Sequence, residues 1–173
     1  MAAALLVIDV QEGMQPFLAH DGKAVVSRIA ELIARARKAG VKVVYVQHDG
    51  SAEPGHPLAR SAPGHAIHHQ IAPASGDGIV VKQQCSAFLD TDLDRLLRSS
   101  GIDRLIVCGM QTEYCVDTTV RAAHALGYKV TLVSDAHSTG NTQALSAGDI
   151  IAHHNLTLAG DFAEVIPAES VRF

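Results

Sequence analysis

The sequence predicts an α/β domain of three layers, a central and mainly parallel β-sheet flanked by helices on both faces. Three observations carry this. Short apolar runs rich in Val, Ile and Leu recur along the chain. Segments with apolar residues at helical spacing lie between them. Glycines fall where those helices should stop, at Gly40, Gly101 and Gly127. A strand that is apolar at every position is buried on both faces, and that is the habit of parallel sheets.

The elements follow in order. Residues 4–10, "ALLVIDV", make the first strand. Val25, Val26, Ile29, Leu32, Ile33 and Ala36 define a helix that Gly40 closes. Residues 41–47, "VKVVYVQ", are the second strand. A long loop rich in Gly, Pro, Ser and His follows, and a loop of this length in a compact domain is usually functional. "IVVK", residues 79–82, is the third strand. Leu89, Leu93, Leu96 and Leu97 form a helix ending near Gly101. "RLIVCGM", residues 104–110, is the fourth strand. Residues 114–126 form a helix, and "KVTLVSDA", residues 129–136, is the fifth strand. A helix over 143–153 and a last strand at 163–166 complete the pattern, a Rossmann-like arrangement with right-handed crossovers.

The 173 residues suit one domain spanning 1–173. Hydrophobic residues make up 47% and charged residues 18%, so the chain is globular in composition. A net charge of −4 gives no basic footprint for nucleic acid. Aromatics are only 4% and Trp is absent, which argues against base stacking. Three cysteines, an odd number, do not make a disulfide framework and suit a reducing cytoplasm. The start lacks a basic region before its apolar run, and Asp9 interrupts that run, so no signal peptide is expected. No run is long enough to span a bilayer. A small-molecule partner, with no nucleic acid and no membrane, is the expectation.

In open α/β sheets ligands bind beyond the carboxyl ends of the strands. The polar residues just past each apolar run are therefore the candidates: Asp9 and Gln11, His48 and Asp49, Lys82, residues 111–115, then Asp135 and His137. Asp9, Lys82 and Cys115 form a coherent set from three strands. A cysteine at a helix start lies near unpaired N–H groups that lower its pKa, and a lysine nearby lowers it further. A carboxylate in reach can take the thiol proton and return it. Backbone N–H groups of the same turn can hold an oxyanion. Singly, each residue also has an ordinary reading: a turn Asp, a solvated Lys, an inert thiol.

The segments "LLVIDVQ", "VVKQQCSAFLDTDLDRLL" and "LIVCGMQTEYCVDTTVRAAHALGYKVTLVSDA", with "PGHAIHHQIAP", resemble the isochorismatase-like superfamily of cysteine hydrolases. That superfamily includes nicotinamidases, N-carbamoyl amidohydrolases and streptothricin hydrolase. The resemblance implies a catalytic triad of Asp9, Lys82 and Cys115. Cys115 would attack a carbonyl and form a thioester, Asp9 would shuttle the proton, and Lys82 would hold the Asp. It also implies a cis Met110–Gln111 peptide and an oxyanion hole from the Gln111 and Cys115 N–H groups. Isochorismate hydrolases of this fold lack the cysteine, so that reaction is not expected here. Gln11, His48 and Tyr114 are expected at the substrate. No cofactor and no metal are expected. The Asp-x-His metal motif of nicotinamidases is not matched by "QHDGSAEPGH", and their pocket Trp is missing, which points to the metal-independent branch near streptothricin hydrolase.

The expected activity is therefore hydrolysis of a small non-peptide amide, such as a lactam, carbamoyl compound or carboxamide. Nicotinamidase activity, a redox-responsive thiol and a non-catalytic binding domain are the competing readings. The His-rich loop is expected to be a lid or a subunit contact, and the molecule a homo-oligomer. Cys108 reads as core. Cys85 is expected to lie near the pocket without a catalytic part.

Overall fold

The computed structural model describes residues 2–18 and 20–173. Six strands form one sheet: β1 (Ala2–Ile8), β2 (Lys42–His48), β3 (Gly78–Lys82), β4 (Ile102–Met110), β5 (Lys129–Ser138) and β6 (Glu164–Ile166). Every pairing is parallel, and the spatial order is β3-β2-β1-β4-β5-β6. The chain builds outward from β1 to one edge, then restarts with β4 on the other side of β1. The switch point thus lies between β1 and β4, where a crevice opens beyond the strand ends.

The helices are α1 (Gly22–Lys38), α2 (Leu93–Ser99), α3 (Asp117–Ala125) and α4 (Ala147–Asp161). Val25, Ile29, Leu32 and Ala36 of α1 recur every three or four residues and pack on Leu5, Val7, Tyr45 and Ile106. The opposite face of the sheet, with Leu6, Ile8, Val44 and Val107, is covered by Leu93 and Leu97 of α2, Val120 of α3 and Leu158 of α4. Burial on both faces accounts for the unbroken apolar runs of β1 and β4.

Several boundaries differ from those expected, and the reasons are local. The α4 helix begins at Ala147 rather than residue 143 because Ser146 caps it, accepting the Asp149 N–H, while Asn141 Oδ1 accepts the Ala147 N–H. The helix expected over 114–126 is two structures. Thr112–Val116 is a π-helical turn, and α3 proper starts at Asp117. Cys115 therefore sits inside the π turn and not at an α-helix N-terminus.

Gly109 shapes the junction just before it. Its φ is +128°, and a Cβ there would lie 2.1 Å from the Ile8 carbonyl oxygen. Only glycine allows β4 to approach β1 this closely at the switch point.

Candidate active site

The end of each central strand delivers one group. Asp9 follows β1 with φ +49°, a left-handed conformation that Asp tolerates better than most residues. Its N–H bonds to the Val46 carbonyl, which fixes the turn. Lys82 ends β3, paired in register with His48 of β2. Cys115 comes from the π turn after β4. The fold brings the three together. Lys82 Nζ lies 2.7 Å from Asp9 Oδ2 and donates to Cys115 Sγ at 3.2 Å. It also donates to the Gln84 carbonyl at 3.0 Å and to His48 Nδ1 at 3.2 Å. Lys82 is 1% exposed and Asp9 2%. The Lys82 ammonium is thus the charge that holds the buried Asp9 carboxylate.

The electrostatics follow from this burial. Burial by itself would lower the Lys82 pKa, but the Asp9 carboxylate and the Cys115 sulfur outweigh it and raise the value. Burial pushes the Cys115 thiol up, the Asp9 charge adds to this, and Lys82 opposes without winning. The expectation of a lowered thiol pKa is therefore corrected. The sulfur is a thiol at rest, beside a carboxylate that can receive its proton. His48 is lowered by burial and by the neighbouring Lys82 charge. It stays neutral, with Nδ1 accepting and Nε2 bearing the proton.

These groups open into a pocket of about 620 Å³. Asp9, His48, Gln111, Tyr114 and Cys115 line it at the strand ends. Met14 and Phe17, from the 3-10 turn Glu12–Phe17, form an apolar wall. Glu53, His56 and Leu58 of the long loop and Gln83 to Cys85 form the rest. The Met110–Gln111 peptide bond is cis. Tyr114 is 51% exposed at the mouth.

Gln11 departs from its expected place at the substrate. It is 0% exposed and does not line the pocket. Its Nε2 donates to the His48 and His65 carbonyls at 3.0 and 2.8 Å, and its Oε1 accepts the His48 N–H at 2.8 Å. Gln11 is a clamp that ties β2 and the long loop to the end of β1. The loop is stitched down further by the His68 N–H to the Val10 carbonyl and the Glu12 N–H to the Ala66 carbonyl. Its residues 53–58 are a wall of the pocket, turned by Gly50, where a Cβ would strike the His56 ring.

A second relay, through His137 at the end of β5, lies behind the π turn. Asn155 Nδ2 donates to the Ser134 carbonyl at 3.0 Å, so its Oδ1 faces His137 Nε2 at 2.9 Å. Nε2 therefore carries the proton, and Nδ1 accepts from the Thr112 hydroxyl at 2.8 Å. Burial lowers His137 to about 4, with the Asn155 bond opposing. This neutral imidazole ties α4 to the first residue of the π turn that holds Cys115. Polar position at the end of β5 was the visible signal, and the register of α4 supplied the rest.

Among the described residues one group, Glu12, His68 and His69, has ligand atoms within 4.8 Å of one another. His68 Nδ1 already accepts the Gln70 N–H at 3.3 Å, and His69 Nδ1 pairs with Glu12 at 2.8 Å. None of the three lines the pocket. Cys108 is fully buried in β4, and Cys85 is an exposed thiol at the pocket wall.

A six-stranded parallel sheet with an Asp, a Lys and a Cys meeting beyond its strand ends defines an α/β protein with a built pocket. The isochorismatase domain model matches residues 3–169, and the chain belongs to that family. It is 35% identical over 167 residues to a streptothricin hydrolase from Streptomyces noursei, covering 95% of this chain and 55% of that one. The chain spans about half the length of the streptothricin hydrolases that it matches, 55% and 54%. It is 31% identical to a ureidoacrylate amidohydrolase from Azorhizobium caulinodans, over 79% of this chain and 77% of the other. Among solved structures, a cysteine hydrolase from Pseudomonas syringae pv. phaseolicola superposes with a TM-score of 0.85 at 32% identity, covering 96% of this chain and 89% of that one. No described helix is long and apolar enough to cross a membrane.

Proposed function

We propose that this chain hydrolyses the C–N bond of a small non-peptide amide, a lactam, carbamoyl compound or carboxamide, through a thioester on Cys115. The observation that carries this reading is the single Lys82 ammonium bridging Asp9 at 2.7 Å and Cys115 at 3.2 Å beside an open pocket. Relatives named for hydrolysing streptothricin and ureidoacrylate support the amide class.

In the proposed reaction Asp9 takes the Cys115 proton as the sulfur attacks the carbonyl carbon. Lys82 keeps its own proton and compensates the charge that passes between carboxylate and thiolate. The N–H groups of Gln111 and Cys115 stabilise the oxyanion. Asp9 then protonates the leaving amine, which departs as the thioester forms. A water, losing its proton to Asp9, attacks the thioester, and the acid leaves as Cys115 regains a proton. His48 and Tyr114 are the proposed substrate contacts. The single domain, the cytoplasmic setting suggested by three free thiols, and a homo-oligomeric state belong to the same proposal.

A screen of small carboxamides, lactams and carbamoyl compounds tests it. The wild type should release amine from at least one, Cys115→Ala from none, and mass spectrometry should trap the acyl group on the Cys115 peptide. Equal turnover by Cys115→Ala would sink the reading.

A further inference from the structure

The walls of the pocket carry an unbalanced charge. Two cations lie close by, and each is already paired. Lys82 faces Asp9 at 2.7 Å, and Arg60 faces Asp49 at 2.7 Å on the far side of the loop. Asp49 is also held by the Ser51 hydroxyl and N–H, which with Arg60 keep its carboxyl well below the usual carboxylate range. Neither Lys82 nor Arg60 lines the pocket, and among the described residues no other Lys or Arg does.

Glu53 is different. It lines the pocket and has no ion pair or hydrogen bond to its carboxylate among the described residues. Its backbone is fixed, while its side chain is exposed at the pocket rim: the Glu53 N–H bonds to the Gly50 carbonyl, the His56 N–H to the Glu53 carbonyl, and the Gly50 N–H to the Leu58 carbonyl. Both histidines of the pocket have one ring nitrogen engaged: His48 Nδ1 with the Lys82 ammonium at 3.2 Å, and His56 Nδ1 with the Leu58 N–H at 3.1 Å. Two half-exposed aromatic rings, Phe17 at 49% and Tyr114 at 51%, complete this part of the lining. Aromatic faces attract cations.

We propose that Glu53 sets the substrate charge: the pocket takes amides that are neutral or carry a cationic group, and disfavours amides that carry a carboxylate. This inference rests on the proposed thiol hydrolase reading and adds the charge class of the substrate to it. The carboxylate repels an anion entering the pocket, and with the Asp9–Lys82 pair neutral overall no cation in the lining offsets it.

Charged and uncharged alkylating agents test the field without a known substrate. The whole chain is treated at pH 9 and low salt with iodoacetamide or iodoacetate, and peptide-resolved mass spectrometry follows Cys115 apart from Cys85. With rates normalised to glutathione, iodoacetamide should modify Cys115 about fivefold faster than iodoacetate, the effect of one nearby charge in a wet site. Glu53→Gln should bring the ratio close to one, Glu53→Lys should invert it, and added salt should shrink it in the wild type. A wild-type ratio of one or less overturns the inference and leaves the thiol chemistry standing, because Cys115 has reacted. A ratio unchanged in Glu53→Gln overturns it as well. If Cys115 is modified by neither reagent even after prolonged exposure at raised reagent concentration, while Cys85 is, this inference is overturned, because an open route to Cys115 is its premise; the hydrolase reading is judged separately by the amide screen.

Discussion

The Lys82 ammonium lies 2.7 Å from Asp9 Oδ2 with both side chains withdrawn from solvent. A buried pair of this kind is held together because each charge has no other neutraliser. Lys82→Met should leave Asp9 as an uncompensated buried carboxylate and cost roughly 3–5 kcal/mol of stability. Asp9→Asn should lower turnover of any amide found in the screen by roughly 10²–10⁴, the usual worth of a general base. Urea denaturation and steady-state kinetics read the two effects separately. A Lys82→Met protein as stable as the wild type would show that the pair is not held as described.

Burial raises the Cys115 thiol despite the adjacent ammonium. Its alkylation by iodoacetamide should therefore be slower at pH 7, relative to pH 9, than that of a free thiol with a pKa of about 8.5. The rate should still be climbing at pH 9 with no plateau near neutrality. A plateau below pH 7 would mean a resting thiolate, and would favour the redox-responsive reading over the carboxylate shuttle.

The Thr112–His137–Asn155 relay holds the turn that carries Cys115 without lining the pocket. Thr112→Val should lower kcat by roughly ten- to a hundredfold, as expected for a small displacement of a reacting group. KM should stay close to wild type. Folded His137 titrates at about 4, whereas an unfolded histidine titrates near 6.5. Between those values the unfolded chain binds the extra proton, so acid favours unfolding. The contribution of His137 should be fully present above about pH 6.5 and lost as pH falls to about 4, amounting to roughly 3 kcal/mol. In His137→Gln that slope should disappear from the pH dependence of the urea midpoint.

Gln11 donates to two carbonyls and accepts one N–H. In Gln11→Glu a carboxylate would face the His48 and His65 carbonyls, and stability should fall by about 2–4 kcal/mol. Gln11→Ala should fall less, because it leaves the backbone groups unpaired without adding a repelling charge. Thermal melts rank the two. If Gln11→Glu were neutral in stability, the clamp would be of no consequence.

The strands and the meeting of Asp9, Lys82 and Cys115 were legible because both follow from position. An apolar run marks a strand buried on both faces, and the polar residue after it must lie at the sheet's carboxyl edge. Gln11 obeys the same rule yet points into the scaffold, since the direction of a side chain in a turn depends on what the following loop brings to it. The π turn at Thr112–Val116 was hidden for another reason. Its residues have helical spacing, and only the Val116 N–H reaching back to the Gln111 carbonyl distinguishes it. Glu53 and His56 lie in a stretch without periodicity, so their place in the pocket wall came from hydrogen-bonded turns that no pattern announces.

Lys82 ends β3, the strand at one margin of the sheet, and two strands separate β3 from β4. Its ammonium nevertheless completes the contact with Asp9 and Cys115. β3 is one of the two margins of the sheet, with β2 as its single neighbour. A chain on which β3 has come away from β2 would keep a carboxylate and a thiol but lose the cation between them. Fraying of that one margin would therefore undo the proposed site while the remaining five strands stayed in place.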